Sequence, residues 1–542
     1  MPAPSTRAGG DLSLGSTCPW LARPVYHGHH MKPSNELFDL IRSLTKSEKR
    51  FFKLHSALQS GEKNYLRIFD AIDKQKEYDE AAIKKQFTKE TFIRHFPSEK
   101  NHLYKLILKA LRAYHADSSV SGILKQHINN IEILFGKALH EEATKVLQRA
   151  KHIAKEHERL YLWFELLSWE KMLIEEAYHS GNFTRDLNSL IKEEEMVLEK
   201  LQNLATYNVL YAKINYVFRS GGYVRTEEEH AMVEEISGHP LIVGKNTALT
   251  HRASTICHYT QGFCQWAKRD WAASYAKFAR VKEILDKHPL LKKDLPQRYV
   301  RTLYYLIQCE IELGDFAHVA SDIEKLRELP GKTGFGDIDI RLLVFCNSWL
   351  SDLRYHDRAG AFAEGVLLEE EVMRGMALWD AQLPKEYELE FFFLLATLNF
   401  GAGNLSRSLF WLNKVLNDAE PALRQDIFTY ARLFNLVVHY ELGNYELLEY
   451  IVRSTQRYLS KRQRAYGVEA ALIEHIKKLA RSSSADAKRK LMVSLQSNFD
   501  ELMRDPNEST VLKYFNFRAW VAAKVEGLPF DQVVKRQALP AP

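Results

Sequence analysis

The run Pro330-Gly331-Lys332-Thr333-Gly334-Phe335-Gly336 contains the Gly-Lys-Thr end of a phosphate-binding loop. That loop needs another glycine five residues before the second, so that backbone N–H groups can close on a phosphate. Leu326 holds that place and no strand pattern precedes it, so the stretch reads as a linker between helices. Three acidic trios, Glu193–Glu195, Glu227–Glu229 and Glu369–Glu371, offer carboxylates for a metal. Consecutive residues on a helix point in different directions, so each trio reads as a solvated helix face. Cys257 and Cys264 lie two turns apart with no histidine or cysteine at ligand spacing, and read as core thiols. His27, His29 and His30 fall in a stretch without helical period, too irregular to preorganise a metal. The signatures HExxH, GxSxG and GxGxxG do not occur. No catalytic residue, metal ligand or cofactor follows, and the chain is expected not to be an enzyme.

Binding chemistry is better represented. Between 453 and 490 stand eleven Lys or Arg, opposed by Glu469, Glu474 and Asp486. Arg453, Arg457, Lys461 and Arg464 follow helical spacing and predict one positive stripe, fit for phosphates or an acidic partner, or simply a solubilising face. A second series is aromatic. Tyr178, Phe218, Trp266, Phe400 and Tyr440 recur near the ends of first helices, with Tyr211, Tyr259, Tyr304 and Phe393 seven residues earlier in the repeat. On a concave face these would form an adhesive groove; as packing residues they would join the core. The candidate partner-binding residues are therefore Tyr259, Trp266, Tyr304, Phe393, Phe400, Tyr440, Arg453, Arg457, Lys461 and Arg464.

These residues need elements to hold them, and the chain supplies helices at a regular interval. A turn residue followed two positions later by a bulky group recurs as Gly181/Phe183, Gly221/Tyr223, Arg269/Trp271, Gly314/Phe316, Gly360/Phe362, Gly403/Leu405 and Gly443/Tyr445. The spacings are 40, 48, 45, 46, 43 and 40 residues, with a weaker instance at Ala138/His140. A two-helix hairpin cannot bury its apolar faces alone, so such units stack and share one core. Glycine suits the corner because it accepts φ > 0 where a helix stops. Pro240, Pro289, Pro296, Pro330, Pro384 and Pro421 mostly fall between units, where they break no helix. The expected fold is all-α: a right-handed solenoid of stacked antiparallel hairpins with a period of about 44 residues.

Several units resemble tetratricopeptide repeats. Leu313-Gly314-Asp315-Phe316, Gly403-Asn404-Leu405 and Leu442-Gly443-Asn444-Tyr445 are similar to that family's G-[DN]-[YF] turn, and Ala143, Leu147 and Ala150 mimic the small-large-small spacing of its second helix. The period departs from that family's ~34 residues, so its groove positions do not carry over. The segments SLTKSEKRFFKL (43–54) and YFNFRAWVAAKVEGLPFDQVV (514–534) resemble the two ends of an uncharacterised bacterial family with such repeats. That resemblance implies the fold and a cytoplasmic setting, and no activity.

The remaining segments follow from pattern. Residues 1–30 are rich in Pro, Gly and Ser and predict a disordered extension, with Met31 as the expected natural start. Residues 31–118 predict a small helical region, in which Thr45 and Glu48 form a capping-box pattern and Phe96-Pro97-Ser98 interrupts the chain. The array would run over 119–480, and 481–542 would close it with capping helices, one of them over about 509–525. Across 542 residues, 46% are hydrophobic and 27% charged, with a net charge of +6. Five cysteines without a CxxC fit a reducing compartment. No apolar run reaches the ~18 residues of a membrane span. The expected function is a non-catalytic scaffold that binds a protein or peptide on a concave face. The alternative is a nucleic-acid-associated regulator, with 45–58 as a helix of a helix-turn-helix and the array as sensor.

Overall fold

Thr45 accepts a hydrogen bond from the Glu48 backbone at 3.2 Å, and the Glu48 carboxylate accepts one from Thr45 N–H at 2.7 Å. This reciprocal cap starts the helix Lys46–Ala57, because it satisfies donors that a helix leaves open at its first turn. The computed structural model describes residues 35–57, 64–179, 187–219, 224, 226–379, 382–419, 423–461, 467–505 and 508–538. Among the described residues there is no strand. Residues 1–30 with Cys18 and their histidines, Gly181, Phe183, Gly221, Tyr223, Pro421, Arg462 and Arg464 lie outside the described residues.

The chain divides into two compact units after Gly122. In the first, five helices from Glu36–Ser43 to Phe96–Tyr114 close over Ile41, Phe52, Ile68, Phe69, Phe96, Leu103 and Ile107. Pro97 does not interrupt the chain here. It occupies the opening turn of the helix Phe96–Tyr114, where its missing N–H has no intrahelical partner to lose.

The second unit is a succession of helices that pack with their chain neighbours. Its corners share one hydrogen-bond pattern. At Ala138, Arg269, Gly314, Gly360, Gly403 and Gly443 the backbone takes a positive φ, between 57° and 80°. The next N–H then donates to the carbonyl five residues back: Leu139 to Leu134, Asp270 to Gln265, Asp315 to Glu310, Ala361 to His356, Asn404 to Asn399, Asn444 to His439. This closure satisfies carbonyls that a helix leaves open at its end. Glu158 (φ 48°) and Arg159 form the same closure onto Ala154, a corner that no glycine announces. Non-glycine residues at Ala138, Glu158 and Arg269 bear about 1–2 kcal/mol of strain each.

The bulky residue after each corner has two destinations. Trp271 and Tyr445 meet the helix just left, with ring centroids 5.0 Å from Trp266 and 5.9 Å from Tyr440. Phe316 and Phe362 reach onward instead, to Tyr355 and to Gly401 of the following helices. A Cβ on Gly401 would lie 2.2 Å from the Phe362 ring, so glycine is what lets the two helices close. Prolines begin helices: Pro240, Pro289 and Pro296 stand in opening turns, and Pro384 precedes Lys385–Gly401. Pro330 sits in the short turn Leu329–Gly331, and Lys332 N–H and Phe335 N–H close successive turns across the Gly-Lys-Thr stretch. That stretch is a linker anchored by buried Phe335.

The C-terminal part departs from expectation. The span 509–525 is not one helix: a 3-10 segment Glu508–Lys513 leads through Tyr514 and Phe515 to the helix Phe517–Glu526, followed by Phe530–Ala538. These elements do not simply cap the last hairpin. Arg358 donates to the carbonyls of Leu512 and Lys513 at 3.0 and 3.1 Å, Trp520 donates to Glu441 at 2.7 Å, and Phe530–Ala538 packs on Ile338–Ala359. The chain folds back over helices that precede it by 70 to 200 residues, because Phe515, Phe517 and Trp520 find their apolar surroundings there.

Candidate functional site

Three helices each present a row at helical spacing. Leu187–Arg219 carries Tyr211, Asn215 and Phe218; His251–Ala267 carries Tyr259, Phe263 and Trp266; Pro296–Leu313 carries Arg298, Arg301, Tyr304 and Tyr305. Residues three, four and seven apart share a face, so packed helices bring the rows side by side. The rings mesh at centroid distances of 5.6 Å (Tyr211–Tyr259), 5.1 Å (Phe218–Phe263), 4.9 Å (Phe263–Tyr305) and 5.6 Å (Trp266–Tyr305). Two hollows open along these faces. One, of about 320 Å³, is lined by Tyr211, Tyr259, Arg298 and Arg301 among others. The other, of about 260 Å³, reaches Phe218, Trp266, Tyr304, Arg354, Glu390 and Phe393.

The floor of the second hollow is a ladder of alternating charge. Arg354 donates to Tyr304 Oη at 3.1 Å, to Gln308 Oε1 at 2.7 Å and to Glu390. Glu390 also accepts from Arg424 at 2.8 Å, Arg424 pairs with Asp426 at 2.9 Å, and Tyr514 Oη donates to Asp426 at 2.8 Å. Five segments are thereby tied into one network. Burial alone raises the Asp426 carboxyl, but the Arg424 charge and the hydrogen bonds from Arg424 and Tyr514 outweigh it and hold it below the usual range. Burial pushes Asp357 up and pulls the Lys513 ammonium well below the usual lysine range. Lys513 Nζ lies 3.9 Å from the Trp271 ring centroid, a cation–π contact that replaces part of its lost hydration.

Beside this paired floor stand two cations of a different kind. Arg298 Nη1 donates to Thr255 Oγ1 at 2.8 Å, and burial draws its guanidinium below the usual arginine range. Arg301 is exposed and pairs with no group among the described residues. Tyr259 is 2% exposed, and its hydroxyl has no hydrogen-bond partner.

The sequence-predicted residues separate here. Trp266, Tyr304 and Phe393 line the 260 Å³ hollow and Tyr259 the 320 Å³ one. Most of their surface is nonetheless spent on packing: Trp266 and Phe393 are buried, with half-buried Tyr304 more open. Phe400 and Tyr440 form no groove. Phe400 is covered by Phe515 and Phe530 at 5.1 and 5.5 Å, and Tyr440 meets Trp520 at 6.0 Å, so the returning C-terminal segment occupies that end. Arg453 and Arg457 are exposed on Tyr445–Lys461, whose buried side is Leu448, Val452, Thr455 and Leu459. Lys461 ends that helix, and Arg464 falls outside the described residues. Within the basic run Lys478 pairs with Glu474 at 2.6 Å and Arg481 with Glu449 at 2.9 Å, so local carboxylates answer part of the charge. In the first unit, Lys49 and Lys53 of Lys46–Ala57 pair with Asp73 and Asp70 at 2.5 and 2.7 Å, which leaves less free charge for a phosphate backbone.

The acidic trios are not only solvated faces. Glu193 accepts from Lys151 and Trp163 at 2.8 and 2.9 Å, and Glu369 accepts from Asn399, Arg407 and Trp411 at 2.8 to 3.0 Å. Glu193 and Glu369 thus tether helices, as does Glu194 through Lys171 at 2.7 Å, while Glu229 completes a capping box with Thr226. Cys257, Cys264, Cys309 and Cys346 are buried thiols, and no group of three metal-ligating side chains occurs among the described residues. Sequence reasoning missed Arg354, Glu390, Arg424, Asp426 and Tyr514. One signal was present: Glu390 interrupts the apolar run Leu389–Phe400, where a charge persists only if it is paired. No family model matches the chain, and no curated protein shows significant similarity to it.

Proposed function

We propose that the second unit is a non-catalytic binding module that takes an extended, acidic segment of a partner protein along the cleft from Tyr211 to Phe393. The successive hairpins form a right-handed, tetratricopeptide-like solenoid with a period of about 44 residues, and the chain works in the cytoplasm as a scaffold. The observation that carries this reading is Arg301, exposed and without an ion pair among the described residues, beside Arg298 and Tyr259 in a hollow whose Asp294 is held by Arg159 and Arg252 and whose Asp339 accepts from Gln297. Exposed arginine and aromatic surface together supply what peptide anchors use: apolar contact area and a charge-assisted hydrogen bond. The ladder from Arg354 to Tyr514 supports binding over proton transfer, because its acids and bases are already engaged with one another.

The test is selection of random dodecapeptides on the intact protein, with binding measured on wild type, Arg301→Glu and Tyr304→Ala. Enriched acidic peptides are expected to lose at least tenfold in affinity with Arg301→Glu and to weaken as salt rises. Equal binding by wild type and Arg301→Glu would remove the reading. Salt-sensitive binding of mixed-sequence DNA, lost on substitution of Arg453 and Arg457, would favour a nucleic-acid regulator instead.

A further inference from the structure

A different face of Pro296–Leu313 borders a cavity of about 670 Å³, formed with Trp271–Lys287 and Val319–Arg327. Leu303, Leu306 and Ile307 stand on it at helical spacing, with Ala279 opposite, so most of the wall is apolar. The next residue of that stripe is Glu310, one turn beyond Leu306 and Ile307 and only 8% exposed. Its Oε2 is buried without a hydrogen-bond partner. A carboxylate oxygen buried in this way loses its hydration without a replacement bond.

The other charges facing the cavity answer each other. Lys282 pairs with Asp286 at 2.8 Å, Lys287 with Glu283 at 2.6 Å and Lys325 with Asp322 at 2.6 Å. Glu310 is the acid left over. Burial and the neighbouring charges of Asp322 and Asp315 push its carboxyl up to about 7, although the Tyr275 hydrogen bond and the Lys325 charge pull it back. The cavity therefore offers one negative charge at the end of an apolar wall.

We propose that this cavity binds a small organic cation, a primary ammonium group on an apolar body, with the ammonium on Glu310 and the body against Leu303, Leu306 and Ile307. An ammonium adds to Glu310 a charged donor beside the Tyr275 hydroxyl, and a single positive charge is what the ring of paired lysines and carboxylates leaves uncompensated. An anion is disfavoured by Glu310, and a polyamine finds no second unpaired acid in the cavity.

The probe is 2-phenylethylammonium, titrated by calorimetry into the full-length protein at pH 6 and pH 8, with the neutral 2-phenylethanol as control. Over that range Glu310 passes from mostly protonated to mostly ionised while the probe stays charged, so affinity is expected to rise roughly tenfold. Near pH 7 the heat should depend on buffer ionisation, because binding displaces a proton from Glu310. Glu310→Gln, nearly the same shape, is expected to lose at least tenfold at pH 8 and to abolish the pH dependence. Ala279→Phe, which narrows the cavity opposite the apolar stripe and keeps Glu310, should also weaken the probe. Equal affinity for the amine and the alcohol, or amine binding unchanged in Glu310→Gln, would overturn the proposal, as would no detectable binding at millimolar probe by a protein whose thermal unfolding is intact.

Discussion

Asp426 and Glu310 are both buried carboxyls, yet their neighbours send them in opposite directions. Asp426 has Arg424 and the Tyr514 hydroxyl, and its folded pKa lies below the ordinary value of about 3.9. Its stabilisation is complete above that value and is lost as pH falls through the folded one. Glu310 forms no ion pair among the described residues, its nearest cation Lys325 being paired with Asp322, and its folded pKa is about 7 against 4.5. Stability from that group is complete below pH 4.5 and declines until about pH 7, a loss of roughly 3 kcal/mol. Urea unfolding of wild type and Glu310→Gln between pH 4.5 and 8 should therefore diverge in Gln's favour as pH rises, and parallel curves would show that Glu310 is not held as described. In the ladder, Asp426→Ala leaves a buried arginine with half its partners and should cost about 3–5 kcal/mol. Tyr514→Phe removes one bond to a charged group and should cost about 1.5–3 kcal/mol. A reversed order in denaturant midpoints would mean that Asp426 is not the network's anchor.

Helix corners turn on a single backbone angle, which makes them the part of the fold most readable from residue types. Glycine two positions ahead of a bulky residue marks φ > 0, and four of the glycines so marked, Gly314, Gly360, Gly403 and Gly443, have it. Glu158 was illegible because its strain is offset by contacts far along the chain: its carboxylate caps the N–H groups of His251 and Arg252 at 2.8 and 2.7 Å. The cleft was legible only in part for the same reason. Aromatic spacing located Trp266 and Tyr304, but no period announces that Tyr514 seeks Asp426, 88 residues away. Corner identity also allows a controlled comparison. A Cβ on Gly443 would meet nothing within 4 Å, whereas on Gly360 it would lie 2.9 Å from Lys535 Cγ and 3.0 Å from Lys535 N. Gly443→Ala should cost only the left-handed strain, about 1–2 kcal/mol. Gly360→Ala should cost more, and should also speed proteolytic release of Phe530–Ala538. Ala138→Gly, exposed at φ 57°, should stabilise by up to about 1 kcal/mol. Equal costs at Gly360 and Gly443 would place the C-terminal helix elsewhere.

A row of hairpins whose contacts run only between neighbours loses its ends first, because a terminal unit is held on one side. The second unit breaks that rule by returning its last residues to helices well inside the chain. Phe515 stacks on Phe434 at 4.2 Å and on Phe530 at 5.6 Å, Tyr514 stacks on Tyr430 at 4.0 Å, and Phe517 and Trp520 are wholly buried. These contacts belong to one apolar core that also contains Lys385–Gly401 and Gln425–Glu441. Unfolding of the C-terminal elements therefore exposes the inner side of those helices, and the two should open together. In native-state hydrogen exchange, amides of Phe517–Glu526 are expected to share the protection of Gln425–Glu441. Phe515→Ala should cost about 3–5 kcal/mol, as a large core deletion does, and lower protection in both segments by the same factor. Fraying of Phe517–Glu526 while Gln425–Glu441 stays protected would instead make the end an ordinary cap, and would reopen the groove beside Phe400 and Tyr440 to a partner.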